Sequence, residues 1–400
     1  MNMKIKSIYL SIVALLGISL TSCQEDNLDV LNPNDQKNFL NWRHVFESYW
    51  NGMNYSYAFW DVDPTDWDEV YREYGPRFDG LEFGEREDSI AAANLFEEIC
   101  SNLIDHHYTL ILKDKDGKPW KFFAPGDKEI KSRDYYHEKY SFDDVTNVIN
   151  HNYDLGRITN ASGVMMNDGF SVWSYLLDKD IVVLGLSSFK IDLHKEVEDV
   201  QDVLENYYSL INESENLKGI IIDTRNNTGG STDDLFIILR PLLSEPIHFG
   251  YTRSKNGLGR LDYTPWSPLT LTPYEPEDNP VERNLEGVPV VALADINSIS
   301  MAEITPMAIM AMPNGFMIGE RTTGGHGPLN GNINDFYAGE LENKAFLMYT
   351  STSVIKRVDG KCYEGYGVVP DIEAMFNADE FYKGNDTQLN RAAEFIHTGK

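Results

Sequence analysis

The sequence predicts an α/β fold preceded by a mainly helical segment, and three stretches carry that expectation. Ile181-Val-Val-Leu-Gly-Leu-Ser-Ser-Phe189 is a β-branched apolar run, the pattern of a strand buried on both faces. Val197, Val200, Val203, Leu204, Tyr207 and Leu210 then recur at helical spacing. Gly219-Ile-Ile-Ile-Asp-Thr224 is a second buried strand. Strand, helix and strand in that order imply parallel pairing through a right-handed crossover.

The elements divide the chain into six stretches. In residues 1–22, Lys4 and Lys6 precede the apolar run Ile8 to Leu20, which is too short to span a bilayer comfortably and reads as an export signal. Leu20-Thr21-Ser22-Cys23 resembles the lipobox of bacterial lipoproteins, which makes Cys23 the expected lipidation site and the first mature residue. Residues 23–37 are polar and Asn/Asp-rich, a tether. Residues 38–113 read as a helical domain whose aromatics (Trp42, Phe46, Tyr49, Trp50 and others) mark helix packing.

Residues 114–180 show no sustained period and read as a mixed connecting segment of strands and loops. Within 181–375, the sequence predicts a helix over Asp233 to Leu243, a strand over Val288 to Leu293, and a surface loop over Pro265 to Pro280. Residues 376–400 read as a helical tail.

The formal charge of −29 over 400 residues excludes nucleic acid as a partner, because phosphate binding needs a positive footprint. It suits an exported body kept dispersed by self-repulsion. Beyond Cys23, only Cys100 and Cys362 remain, too few for a disulfide framework or a zinc site. No metal and no cofactor is expected.

Two motifs carry chemistry. Asp223 to Gly230 is a glycine turn after a buried strand, and Ser298-Ile-Ser300-Met-Ala-Glu303 follows the next strand. Acyl transfer needs an exposed nucleophile at such a strand-to-helix turn, with backbone N–H groups facing a developing oxyanion. The competing reading of Ser300-x-x-Glu303 is a capping box, in which the serine accepts from the third helical N–H and the glutamate reaches back. The two readings are compatible, since a helix N-terminus presents free N–H groups. Pro306 must kink or end the helix that follows.

Four blocks occur in order: Gly219 to Gly230, Ser300-Met-Ala-Glu303, Gly319-Glu-Arg-Thr-Thr-Gly324, and Glu364-Gly-Tyr-Gly-Val-Val-Pro-Asp371. Together they resemble the catalytic domain of the C-terminal processing (tail-specific) serine peptidases, including tricorn-like members, over roughly residues 181–371. That resemblance implies a ClpP/crotonase-like fold with stacked parallel sheets and a peptide or protein substrate.

Family members with a Ser–Lys dyad carry lysine just after the Thr-x-Gly of the third block. Here Gly325 and His326 follow Gly324, and no lysine comes before Lys344. The tricorn-like branch uses serine with an N-terminal histidine and a late glutamate instead. Asp105-His106-His107 resembles its Asp-x-His segment, which implies Ser300 as nucleophile, His107 as base and Glu364 as orienting group. Met301 N–H, with Gly229 or Gly230 N–H, is then expected to form the oxyanion hole. His106 and His326 are rival bases, and Ser298 a rival nucleophile.

The expected activity is a lipid-anchored serine endopeptidase of the cell envelope, held at the outer membrane. An inactive peptide- or glycan-associated relative of the same fold is the alternative, motivated by the missing lysine. Acyl-CoA chemistry of the crotonase type rests on fold analogy alone and fits poorly with an export signal. The resemblance carries over no recognition of free C-termini, because 114–180 holds no glycine-flanked carboxylate-binding loop of the PDZ type.

Overall fold

A computed structural model describes residues 39–331 and 337–400. The signal, the lipidation site Cys23 and the tether all lie outside the described residues.

In chain order the helices are α1 (Trp42–Ser56), α2 (Trp67–Tyr74), α3 (Arg86–Cys100), α4 (Pro125–Lys131), α5 (Phe142–Asp154), α6 (Glu198–Glu213), α7 (Asp233–Leu239), α8 (Met301–Ile309), α9 (Ala378–Phe381) and α10 (Thr387–Thr398). The strands are β1 (Thr109–Lys113), β2 (Pro119–Phe123), β3 (Ile158–Met165), β4 (Ser171–Leu177), β5 (Ile181–Leu186), β6 (Gly219–Asp223), β7 (Ile247–Ser254), β8 (Ser267–Leu271), β9 (Val290–Ala294), β10 (Gly315–Gly319), β11 (Glu340–Glu342), β12 (Phe346–Tyr349), β13 (Ser353–Arg357) and β14 (Ile372–Glu373).

The central sheet runs β14-β10-β9-β6-β5-β4-β3. Its pairs from β14 to β5 are parallel, and β5–β4 and β4–β3 are antiparallel. The expected β5–α6–β6 parallel unit is present, with Ile181 opposite Gly219. Alternate residues of its strands face opposite layers. Val182, Leu184, Ile220, Ile222 and Val290 pack with Val203, Tyr207, Leu235 and Met307 from α6, α7 and α8. Val183, Ile221, Val291 and Ile318 pack instead with Leu389, Ala392 and Ile396 of α10. Covering both faces is what requires the unbroken apolar runs.

The stacked parallel sheets of a ClpP/crotonase-like fold are not what the chain builds. Among the described residues most strand pairs are antiparallel, and the sheets do not close into a barrel. The four-stranded sheet β11-β12-β1-β2 and the three-stranded sheet β13-β7-β8 are antiparallel throughout. Connection length explains the split. A long helical crossover permits parallel neighbours, whereas the short turn between β3 and β4 forces a hairpin.

The helices of the N-terminal part share their core with strands. Trp42, Phe46, Tyr49 and Phe96 of α1 and α3 share one core with Leu110, Leu112, Leu341, Phe346 and Met348. Strands from the far end of the chain thus complete the core under the first helices.

Candidate active site

The site forms where the loops after β6, β9 and β10 meet the residues that follow α3. The β9 loop is built around Asp295, whose Oδ1 accepts from the N–H groups of Asn226 at 2.9 Å and Asn297 at 3.0 Å. That carboxylate holds the β6 and β9 loops together. Ser298 completes the turn: its hydroxyl donates to the Thr224 carbonyl at 2.8 Å and is fully buried. A hydroxyl so engaged is structural, which removes Ser298 as a rival nucleophile.

Ser300 sits at the N-terminus of α8 with φ 62° and ψ −120°, a conformation that non-glycine residues rarely hold. Its N–H donates to the Gly325 carbonyl at 2.8 Å. Its side chain caps no helical N–H, so the capping box is not formed. Glu303 turns into the interior instead, accepting from Gly325 N–H at 2.7 Å, Gly324 N–H at 3.0 Å and the Thr322 hydroxyl at 2.5 Å. Burial pushes its carboxyl up to about 7, against these three donors. Pro306 lies within α8 and does not end it; the helix runs on to Ile309. Proline cannot donate to the Ala302 carbonyl, and the Thr224 hydroxyl lies 3.4 Å from that oxygen.

The glycine turn packs directly on the serine. Gly229 has φ 78°, and a Cβ added there would stand 3.0 Å from the Ser300 Oγ. A Cβ on Gly230 would stand 2.2 Å from the Phe189 carbonyl oxygen. Gly229 N–H already donates to Asn227 Oδ1 at 2.8 Å, which takes it out of the expected oxyanion hole. Among the described residues, Gly230 N–H and Met301 N–H donate to no protein group.

Three histidines and a glutamate gather on the loop that carries Gly325. Glu364, 5% exposed, accepts from His106 N–H at 3.2 Å, His326 N–H at 3.0 Å and Gly327 N–H at 2.8 Å. Burial, then the Asp105 and Glu303 carboxyls, hold it well above the ordinary carboxylate range. One ring nitrogen of His107 and one oxygen each of Asp105 and Glu364 lie within 4.8 Å of one another. Such a trio could hold a metal ion, but both Asp105 oxygens are already bonded, to Ser351 and to His107 N–H. Burial pushes Asp105 up to about 6.

The histidines differ in what their rings can do. His106 Nδ1 lies 2.9 Å from the Thr323 carbonyl, so that nitrogen is the donor and the ring is tethered. His326 is buried with neither ring nitrogen in hydrogen-bond geometry, its Nδ1 3.6 Å from Glu364. Burial, then His107, pushes it down to about 3. His107 is half-buried, with Nδ1 sealed and unpartnered, and burial beside His106 pushes it down to about 4.

Sequence reasoning missed the contribution of 114–180. Arg133, buried just after α4, donates to the carbonyls of Thr322 at 2.7 Å and Thr323 at 2.9 Å and so clamps the Gly324 loop from outside. His137 stacks on Phe376 and lies 3.2 Å from Glu320, which together with the nearby Asp295 raises it above the usual histidine value against its burial. No local motif announces either residue; only the long-range fold puts them there.

Residues 180–374, which hold Ser300, Glu364 and the glycine turn, match the family described as Peptidase family S41. The match makes this stretch S41-like and the chain a serine-type peptidase. This stretch and the helices before it also resemble solved structures. A candidate peptidase from Parabacteroides merdae ATCC 43184 is 21% identical with a TM-score of 0.63, covering 90% of this chain and 98% of that one. Mature CPAF complexed with lactacystin is 12% identical with a TM-score of 0.55, covering 90% and 99%. At these identities the structures establish a shared fold. No curated protein matches the chain.

Proposed function

We propose that the S41 domain hydrolyses peptide bonds through an acyl-enzyme, with Ser300 as nucleophile, His107 as base and Glu364 as orienting group. The observation that carries this reading is Ser300 itself, in a strained turn pressed against Gly229 and beside the unengaged N–H groups of Met301 and Gly230. Ser300 Oγ attacks the scissile carbonyl carbon while its proton passes to His107. The oxyanion is held by Met301 and Gly230 N–H. His107 then returns the proton to the departing amine, and water hydrolyses the ester by the reverse sequence.

His107 is preferred because one of its ring nitrogens lies within 4.8 Å of an oxygen of Glu364, the orienting group, while His326 is sealed. A peptide-binding relative without turnover is the second reading, favoured by a Ser300 hydroxyl with no hydrogen bond among the described residues. A fluorophosphonate probe separates the two. Labelling of the parent and none of Ser300→Ala supports the peptidase; an unlabelled parent leaves the binding reading.

Attachment to the outer membrane through lipid on Cys23, as part of an exported envelope protein, rests on the lipobox-like Leu20 to Cys23. Among the described residues no helix is long and apolar enough to cross a membrane. Cys23→Ala should move the protein from the membrane fraction to the soluble one, and retention at the membrane would refute the anchor.

A further inference from the structure

Against the glycine turn lies a cleft of about 320 Å³, near the lower end of the ~300–1,000 Å³ typical of ligand pockets. Asn226 and Thr228 of the turn form part of its wall, and the next residue, Gly229, is the one packed on Ser300. It opens at the C-terminal ends of the parallel strands β5 and β6, where open α/β sheets bind ligands.

Its floor is aromatic by construction. A Cβ on Gly185 would stand 2.3 Å from the Trp173 ring, so this glycine in β5 is what lets the indole lie flat on the sheet. Phe142 packs against that indole, with ring centroids 5.7 Å apart, and Val145 of α5 lines the same side. Asp168, held by Lys190 at 3.0 Å, stands at the rim.

Two polar atoms in this mixed polar and aromatic wall have no partner. Ser171 Oγ and Asn226 Oδ1 are buried and unbonded, although the Asn226 amide nitrogen is engaged by the Tyr140 carbonyl. A buried acceptor left unpaired is costly unless a ligand donor meets it. Asn226 also holds φ 58°, so its side chain is kept at a strained position.

We infer that this cleft is a specificity subsite of the peptidase reading above, taking an aromatic side chain with one hydrogen-bond donor, tyrosine above all, from a residue flanking the scissile bond. The ring lies against the Trp173–Phe142 pair, beside Val145. Asn226 is partly exposed although its Oδ1 is sealed, and a turn of its side chain presents that oxygen to the phenol. The inference rests on Ser300 being the nucleophile, since that is what sets the cleft beside the reacting bond.

The test compares peptides that carry Tyr, Phe or Gly at each position around the cleaved bond. At one position, kcat/KM should favour Tyr over Gly by about tenfold or more. Val145→Trp, which fills the cleft, should remove that preference, and Asn226→Gly, which tolerates the positive φ, should remove the preference for Tyr over Phe. Fluorophosphonate labelling of Ser300 reads the nucleophile separately. A preference unchanged in Val145→Trp, with labelling intact, overturns the subsite. Where the parent does not label, the peptidase reading fails first, and the cleft is judged by binding alone. Tyr-peptide binding to Ser300→Ala, read by Trp173 fluorescence and lost in Val145→Trp, sustains the cleft; no binding overturns it.

Discussion

An ideal Cβ on Gly229 would stand 2.5 Å from the Ser300 Cβ and 2.9 Å from the Ile299 carbonyl oxygen. The glycine turn and the serine turn therefore meet in backbone contact. Gly229→Ala must push the two apart, and its φ of 78° adds strain. A displacement near 1 Å at a reacting group lowers rate by about a hundredfold. Fluorophosphonate labelling should slow to that extent while circular dichroism stays native. Labelling at the parental rate would mean that Gly229 does not position Ser300.

The φ of 62° at Ser300 makes a second prediction, in which stability and activity move in opposite directions. A residue held in such a conformation costs about 1–3 kcal/mol. Ser300→Gly relieves that strain and Ser300→Ala keeps it, while both remove the hydroxyl. Neither variant should label, and the glycine variant should unfold at higher denaturant than the alanine one. Equal midpoints would argue that the turn is unstrained.

The histidine sets a third expectation. An ordinary histidine titrates near ~6.5, but burial beside His106 pushes His107 down to about 4. The base works when neutral, so kcat/KM should rise through about pH 4 and already be level between 6 and 7. The same shift affects stability. The folded state binds fewer protons than the unfolded one between those values, so this contribution is fully present above about 6.5 and lost as pH falls towards 4. A pH–rate profile with its acid limb near 6.5 would point to a more solvated base.

Much of the central sheet was legible from sequence, and the reason is burial. The runs in β5, β6 and β9 are buried on both faces, so they have to be continuously apolar. The remaining sheets were not legible. β3 is half-exposed, β2 carries Trp120 and Phe122 on the surface, and β12 pairs with a strand more than two hundred residues earlier. Stacked parallel sheets came from family likeness, and no local pattern opposed them. At the site, Ser300-x-x-Glu303 reads alike as a cap or a nucleophile elbow, and only the sign of φ at Ser300 separates the two. The histidine was ambiguous for a related reason: His106, His107 and His326 all reach one loop, and only ring contacts tell them apart.

A fourth prediction concerns Arg225, buried between Asp223 at 2.6 Å and Asp386 at 2.8 Å. These contacts tie β6 to the N-terminus of α10. Arg225→Met leaves two carboxylates buried without a cation, and breaking such a pair costs about 3–5 kcal/mol. Urea unfolding should show a loss of that size. A loss below 1 kcal/mol would mean that water reaches the pair.

Glu303 sets the last prediction, because it holds the loop whose Gly325 carbonyl takes Ser300 N–H. In Glu303→Gln the amide oxygen can still accept from Gly324 and Gly325, but the amide nitrogen meets a Thr322 hydroxyl that already accepts from Val368 N–H at 2.7 Å. One lost hydrogen bond in the interior costs about 1–3 kcal/mol. The sign of its pH dependence follows from burial. The folded carboxyl titrates at about 7, above its unfolded value, so the folded state binds more protons across that window. Its contribution is therefore greatest in acid and shrinks as pH rises through 7. The stability gap between parent and Glu303→Gln should narrow from pH 5 to pH 8, with labelling of Ser300 slowed in the variant. A gap that widens with pH would require Glu303 to be ionised and stabilising, and would transfer the holding of the loop to Arg133, which grips the carbonyls of Thr322 and Thr323 from the other side.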